Sequence, residues 1–364
     1  MVGLFSNCLG DYDYHLPEEL IAQSPVEPRD SSRMLVVDRA RGTIEHRYFK
    51  DISDYLDSHD LVVVNNSRVI KARLLGFRLR EENGAWVRGG HVEFVLLEQV
   101  GPRIWEGLFH ASARYVRGLR FEIPTPDGKG LRGVLVRGVS ESPHGTVVAE
   151  FDRDPIEADA GELPLPHYIR KPGGDSGVSY QTVYAKDLGS AAAPTAGLHF
   201  TTEVIERLRQ KSVSWDEVTL HVGLGTFRPI KTPQLSDHQM HEERYDIIEK
   251  TAQAITVAKS HGKRILAVGT TCVRTLESAW EVSDDHAQGG HLRSGPGRTS
   301  LFIRPGHASF RVVDRLLTNF HLPQSTLLVL VCAFAGRELI LKAYEEAVRM
   351  RYRFFSYGDC MLIL

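Results

Sequence analysis

Arg264-Ile-Leu-Ala-Val-Gly269-Thr270-Thr271-Cys-Val-Arg274 is the stretch on which the reading of this chain turns. A short apolar run reads as a buried strand; a Gly/Thr turn follows, and the pattern then continues as a helix through Trp280. Strand, turn and helix in that order are the unit of an α/β domain. The first amides of a helix have no partner inside it and favour anions, and glycine lets a ligand approach the backbone closely. The hydroxyls of Thr270 and Thr271 are therefore candidates to cap the helix or to hold a ligand. Arg274, one turn in, is placed to grip a carboxylate or phosphate. The competing reading is an ordinary helix start with a structural ion pair.

The same texture extends outward. Residues 202–211 are amphipathic and helical, 218–222 a strand, and 251–261 a helix ended by Gly262. Residues 325–335 read as a buried helix and 336–351 as another; 283–298 read as a surface loop. Near the start, 16–22 reads as a short helix, with Pro early and acids in its first turn. Residues 34–38 and 61–65 read as buried strands. Between about 68 and 157 the texture changes: β-rich runs at 92–97, 104–109, 119–123, 131–137 and 146–151 are separated by Gly, Pro, Asp and His. Short strands with regular turns suggest a small antiparallel barrel or sandwich. The expected architecture is an α/β main domain (1–66 and 163–364) with an inserted small antiparallel β-barrel domain (67–162).

Composition bounds the function. The chain has 364 residues, 42% hydrophobic and 25% charged, with a formal net charge of -2. That excludes disorder, a collagen-like rod and a disulfide scaffold, and it is long enough to bury its own cores, here as two domains. The four cysteines, Cys8, Cys272, Cys332 and Cys360, form no CxxC pair, which fits reduced thiols in the cytoplasm. No signal peptide is expected at the start, and the apolar run 327–335 falls short of the ~20 residues that span a bilayer. Two self-sufficient domains fit a monomer. No global basic field is present, although local patches suffice for phosphate contact.

Three imidazoles stand beside small residues that leave room for a ligand. His199 ends 193–199, His221 precedes the Gly223/Gly225 turn, and His321 follows Asn319-Phe320. Imidazoles are the usual proton-transfer groups near neutral pH; His221, alternating with apolar neighbours, is equally readable as a satisfied core histidine. Gly223 and Gly225 without a third glycine are a weak dinucleotide signal. His238 and His241, with Glu242, have a spacing that starts a metal site but lack its remaining ligands, so no metal is expected. Basic residues cluster at Arg68, Lys71, Arg73, Arg78 and Arg80, at Arg114, Arg117 and Arg120, and at Arg349, Arg351 and Arg353. The last group interleaves with Tyr352, Phe354 and Phe355, a texture of RNA contact as well as of a solvated face.

Together these segments closely resemble the S-adenosylmethionine:tRNA ribosyltransferase-isomerase family of queuosine biosynthesis, from about Asp11 to Leu364. The carriers include Asp13 to Gln23, Arg29 to Arg33, Pro164-Leu165-Pro166, Tyr180 to Ala185, Ala192 to Phe200, Thr219 to Phe227, Ala267 to Glu277, Thr318 to Thr326 and Phe355-Ser-Tyr-Gly-Asp359. Departures, among them His167 and Asn66-Ser67, remove no candidate acid, base or ligand. The resemblance implies transfer and isomerisation of the ribosyl unit of S-adenosylmethionine, as cosubstrate, onto 7-aminomethyl-7-deazaguanine at a tRNA wobble position. Epoxyqueuosine tRNA is the product, with release of adenine and methionine. It implies acid/base roles for His199, His221 and His321. Donor contacts fall to Gly223, Gly225, Thr270, Thr271 and Arg274, the Thr/Arg set holding the methionine carboxylate or the ribose. tRNA or acceptor contacts fall to Arg68, Arg349, Arg351, Arg353, Phe355, Tyr357 and Asp359. The rival readings are an S-adenosylmethionine-dependent RNA methyltransferase and a non-catalytic tRNA-binding protein.

Overall fold

The computed structural model describes residues 6–111, 117–139, 145–166, 168–169, 179–223, 230–282, 289–306 and 310–364. Gly225, Arg114, His167 and residues 283–288 lie outside them. The chain divides into two compact units. One comprises Met1–Ser67, His167–Asp187 and Ala193–Leu364; the other comprises Arg68–Pro166 and Leu188–Ala192.

Along the chain, β1 (Arg33–Asp38), β2 (Thr43–Tyr48) and β3 (Asp60–Asn65) are followed by a short β4 (Ser67–Val69). Next come β5 (Arg73–Glu82), β6 (Ala85–Gly101), β7 (Ile104–Ala111), β8 (Arg120–Ile123), β9 (Leu131–Arg137) and β10 (Val147–Phe151); β11 (Asp187–Ser190) pairs with β4. The chain then runs through α1 (Thr202–Gln210), β12 (Ser214–Leu220), β13 (Glu243–Ile247), α2 (Glu249–Ser260), β14 (Arg264–Val268) and α3 (Thr270–Ala279). It ends with β15 (Trp280–Val282), β16 (Gly290–Leu292), β17 (Gly295–Thr299), β18 (Arg315–Asn319), α4 (Thr326–Ala335), α5 (Arg337–Arg349) and β19 (Cys360–Ile363).

The first unit is built on a nine-stranded mixed sheet in the order β17-β13-β12-β3-β14-β18-β19-β1-β2. β12, β3, β14 and β18 run parallel, so their carboxyl ends share one edge. Val62, Val64, Leu266, Val268 and Leu317 from these strands pack with Phe200, Val204 and Leu208 in one buried cluster. Buried apolar side chains supply most of the driving force for such a layer. At the opposite edge the buried Asp60 carboxylate takes Nε and Nη2 of Arg264 at 2.9 and 2.8 Å and Nη1 of Arg315 at 3.0 Å. That pins β3, β14 and β18 in register.

In the second unit β10-β7-β6-β5-β8-β9 pair antiparallel and close on themselves. Phe94, Phe109, Phe121 and Phe151 fill the interior, with ring centroids 5.4 to 6.1 Å apart. Glycine is required beside them: a Cβ on Gly133 would lie 2.3 Å from the Phe121 ring.

Several elements differ from the sequence reading. Residues 16–22 form no α-helix, only a 3-10 turn at Glu18–Leu20. The segment instead exchanges backbone bonds with residue 354: Phe354 N–H donates to Leu20 O at 2.8 Å and Ala22 N–H to Phe354 O at 3.1 Å. β12 begins at Ser214, because the acids that disguise it are paired: Asp216 accepts from Thr251 Oγ1 and Glu217 from Lys186 Nζ. The Gly-rich part of 283–298 that is described is no loop. β17 is an edge strand on β13, where Gly297 leaves room for the Tyr245 ring, 2.4 Å from where its Cβ would stand.

Candidate active site

A cavity of about 320 Å³ opens at the carboxyl ends of β12, β14 and β18 in the first unit. Ligand sites in open α/β sheets favour this edge, because helix N-termini and loops converge there. Val222 follows β12; Gly269, Thr270 and Thr271 follow β14; Asn319 to Ser325 follow β18. Ala193 to Ala196, Tyr168, Phe355 and Ser356 complete the wall.

His321 lines it. The Thr318 hydroxyl donates to Asn319 O at 3.3 Å and therefore accepts from Nε2–H of His321 at 2.8 Å, leaving Nδ1 as the basic nitrogen. Its backbone is gripped from both sides: Tyr14 Oη donates to His321 O at 2.5 Å, and His321 N–H donates to Tyr344 Oη at 3.0 Å. Burial lowers the His321 pKa to about 3, so the ring is neutral at physiological pH.

His199 is placed differently. Asn319 Nδ2 donates to Phe355 O at 2.8 Å, which turns Asn319 Oδ1 toward His199 Nε2 at 3.2 Å. Nε2 is then the donor, and Nδ1 accepts from Ser32 Oγ at 2.7 Å. Both ring nitrogens are spent, and burial lowers the pKa to about 4 despite the Asn319 bond. His199 is thus not a free acid or base: it positions Asn319, which holds the turn at Phe355. That turn is strained, with Phe355 at φ 68, and the strain aims its ring into the cavity against Tyr168, 4.9 Å away. His221 stands just past β12, its N–H donating to Arg244 O at 3.0 Å; the next residue, Val222, is the one on the wall.

Of the expected donor contacts, Thr270 and Thr271 reach the cavity at the start of α3. Arg274 does not. It is 2% exposed and committed to the Glu243 carboxylate, to Leu301 O at 3.1 Å and to Thr299 O at 3.3 Å. Facing inward on the helix, it met a buried acid that local sequence does not reveal. Glu243 also accepts from Gly223 N–H at 3.1 Å, so Gly223 is tied to that pair; no described atom lies within 4 Å of where a Cβ on it would stand.

The C-terminal candidates separate likewise. Asp359 is buried and accepts from Arg33 N–H at 2.9 Å and Arg353 N–H at 2.8 Å; it closes a turn instead of facing an amine. Tyr357 is buried, its ring T-shaped to that of Tyr180. Arg353 is half-buried, donating to Ser24 O, and burial lowers its pKa. Arg68, Arg349 and Arg351 are exposed; Arg349 is paired with Glu346 at 2.6 Å. Among the described residues no three His, Cys, Asp or Glu groups cluster to hold a metal, and no helix is long and apolar enough to cross a membrane. The sequence reading did not single out Asn319, Thr318, Tyr14, Tyr168 or Tyr344 as site residues. Thr318 and Asn319 interrupt an apolar run, a local sign of buried partners; the three tyrosines carry no such sign.

Fold and site together define an α/β protein with a cavity at the strand ends, lined by a neutral imidazole and a helix start. Residues 9–363 match the family model described as queuosine biosynthesis protein, and the chain belongs to that family. It is 47% identical to the S-adenosylmethionine:tRNA ribosyltransferase-isomerase of Carboxydothermus hydrogenoformans, over 98% of this chain and 99% of that one. The enzyme of the same name from Symbiobacterium thermophilum is also 47% identical, again over 98% and 99%. The crystal structure of S-adenosylmethionine tRNA ribosyltransferase from Thermotoga maritima is similar, with TM-score 0.53 and 38% identity over 97% of this chain and all of that one.

Proposed function

We propose that this protein is an S-adenosylmethionine:tRNA ribosyltransferase-isomerase: it moves and isomerises the ribosyl unit of S-adenosylmethionine onto 7-aminomethyl-7-deazaguanine at the wobble position of tRNA. The near-full-length identity to enzymes of that name supports the activity. The observation that carries the site is the cavity at the strand ends, with His321 and the start of α3 on one wall. In this reading the closed ring of strands is a small antiparallel β-barrel inserted in the α/β domain, and the enzyme works in the cytoplasm, where its RNA is.

The chemistry asks for little that this wall lacks. The sulfonium acidifies its neighbouring ribose carbon, and a neutral imidazole with a free Nδ1 is the group to take that proton. As the proton moves, the sulfonium becomes an overall neutral ylide and His321 becomes the cation. The enclosed charge is therefore unchanged, which a low-dielectric cavity favours. Protonated His321 can return the proton to adenine as it leaves. Phe355 and Tyr168 offer ring faces to a planar base. Arg68, Arg349 and Arg351, being exposed, are the candidates for phosphate contact, which makes tRNA binding salt-dependent.

Incubation with labelled S-adenosylmethionine and tRNA carrying the aminomethyl base tests the proposal. Free adenine and methionine with a heavier wobble nucleoside support it. S-adenosylhomocysteine would identify a methyltransferase instead, and unaltered tRNA a binding protein.

A further inference from the structure

Residues 320–325 join β18 to α4 and carry His321 on the cavity wall. Within this loop Gln324 stands at φ 55, a left-handed conformation that residues other than glycine seldom adopt. Such a conformation persists only where its surroundings hold it. The hold comes from a segment near the start of the chain. Gln324 N–H donates to Tyr12 O at 2.9 Å, and Gln324 Nε2 donates to Asp13 Oδ2 at 2.9 Å. The next residue, Tyr14, sends its hydroxyl to His321 O at 2.5 Å, across 307 positions of sequence. Three consecutive residues thus grip one loop at two points.

Tyr14 uses its oxygen for nothing else among the described residues. Its ring is T-shaped to Tyr344, with centroids 4.9 Å apart, and lies 6.1 Å from Phe354; a phenylalanine would make both contacts equally well. Burial raises the pKa of Tyr14, so the proton it donates stays in place. Tyr344, which it touches, accepts the N–H of the same His321 at 3.0 Å. The Nε2–H of His321 goes to Thr318. His321 is therefore fixed at its N–H, its C=O and one ring nitrogen, and none of these bonds uses Nδ1. Tyr14 itself is not on the cavity wall.

We infer that Tyr14 is a positioning residue for the reaction: its hydroxyl, with the Tyr12 and Asp13 contacts on Gln324, fixes the peptide of His321 and so sets where the imidazole meets the donor. The inference rests on the proposed function, in which His321 takes the proton from the ribose carbon beside the sulfonium. Proton transfer needs the imidazole within hydrogen-bond reach of that proton. A misplacement of about 1 Å can cost ~10²-fold in rate, and a loop holds a side chain less closely than a strand or helix does. Tyr14 acts through His321 and touches no reacting atom.

The test is a double-mutant cycle on the full chain: wild type, Tyr14→Phe, His321→Ala and the two changes together. Single-turnover release of adenine is followed with S-adenosylmethionine and tRNA carrying the aminomethyl base, and donor binding is measured by calorimetry on each protein. Tyr14→Phe should lower the rate by roughly tenfold, as for one lost hydrogen bond, with donor affinity unchanged. In the His321→Ala background the same change should alter the rate by less than about twofold, because the ring it positions is gone. Asp13→Ala, at an exposed position, should lower the rate severalfold, again only when His321 is present. A wild-type rate in Tyr14→Phe, an equal loss in both backgrounds, or a wild-type rate in His321→Ala overturns the inference while the proposed function stands. Should Tyr14→Phe not fold, Asp13→Ala decides by the same criteria. Wild-type protein that releases no adenine overturns the proposed function and this inference with it.

Discussion

His321 and His199 show how alike two histidines can look in sequence and how differently they are used. One bonds through Nε2 to Thr318; the other gives both nitrogens to Ser32 and Asn319. His321→Ala should therefore lower kcat by a factor of about 10² or more, the usual worth of a positioned acid/base group, and leave donor affinity nearly unchanged. Single-turnover kinetics with separate binding measurements check this. Gly197 is a second case. A Cβ there would stand 2.0 Å from Tyr184 Oη and 2.9 Å from Thr182 Cγ2. Gly197→Ala should cost about 1–3 kcal/mol as an overpacked core position, read as a lower urea midpoint.

Among the elements, α3 has two ends of opposite character. Its start is open to the cavity, while its middle is anchored through Arg274 to Glu243 and to the chain at Thr299 and Leu301. Arg274→Met leaves Glu243 as an uncompensated buried charge, so stability should drop by about 3–5 kcal/mol. The variant protein that remains folded should bind donor as wild type does, because Arg274 is not on the cavity wall; urea unfolding and calorimetry on the same sample separate the two effects. α4 depends on its cap: Ser325→Ala should cost about 1 kcal/mol, seen as a fall in Tm.

For the molecule as a whole, His199 and His321, one buried and one on the cavity wall, couple folding to pH. Unfolded, both imidazoles take up a proton near pH 6.5; folded, His199 resists until about 4 and His321 until about 3. Below 6.5 the unfolded chain binds more protons than the folded one. The stability they contribute is complete above pH 6.5 and declines as pH falls from there toward 4. Urea midpoints between pH 7.5 and 4.5 should show this decline, and His199→Gln should make it shallower. What the sequence determined is the local and periodic part: the strand-turn-helix at 264–279, the helices at 202–211 and 325–351, and the opening at Thr270 and Thr271. Apolar periodicity, glycine and hydroxyl residues act over a few positions, so they can be read from neighbours alone. Only the tertiary structure decided that Arg274 and Asp359 face buried partners, that His199 is bonded at both ring nitrogens and His321 through Nε2, and that a Gly-rich stretch is an edge strand. Each of those outcomes depends on a group far away in the chain, such as Glu243, Arg33, Asn319 or Tyr245, because a polar side chain's role is set by whichever partner burial brings to it.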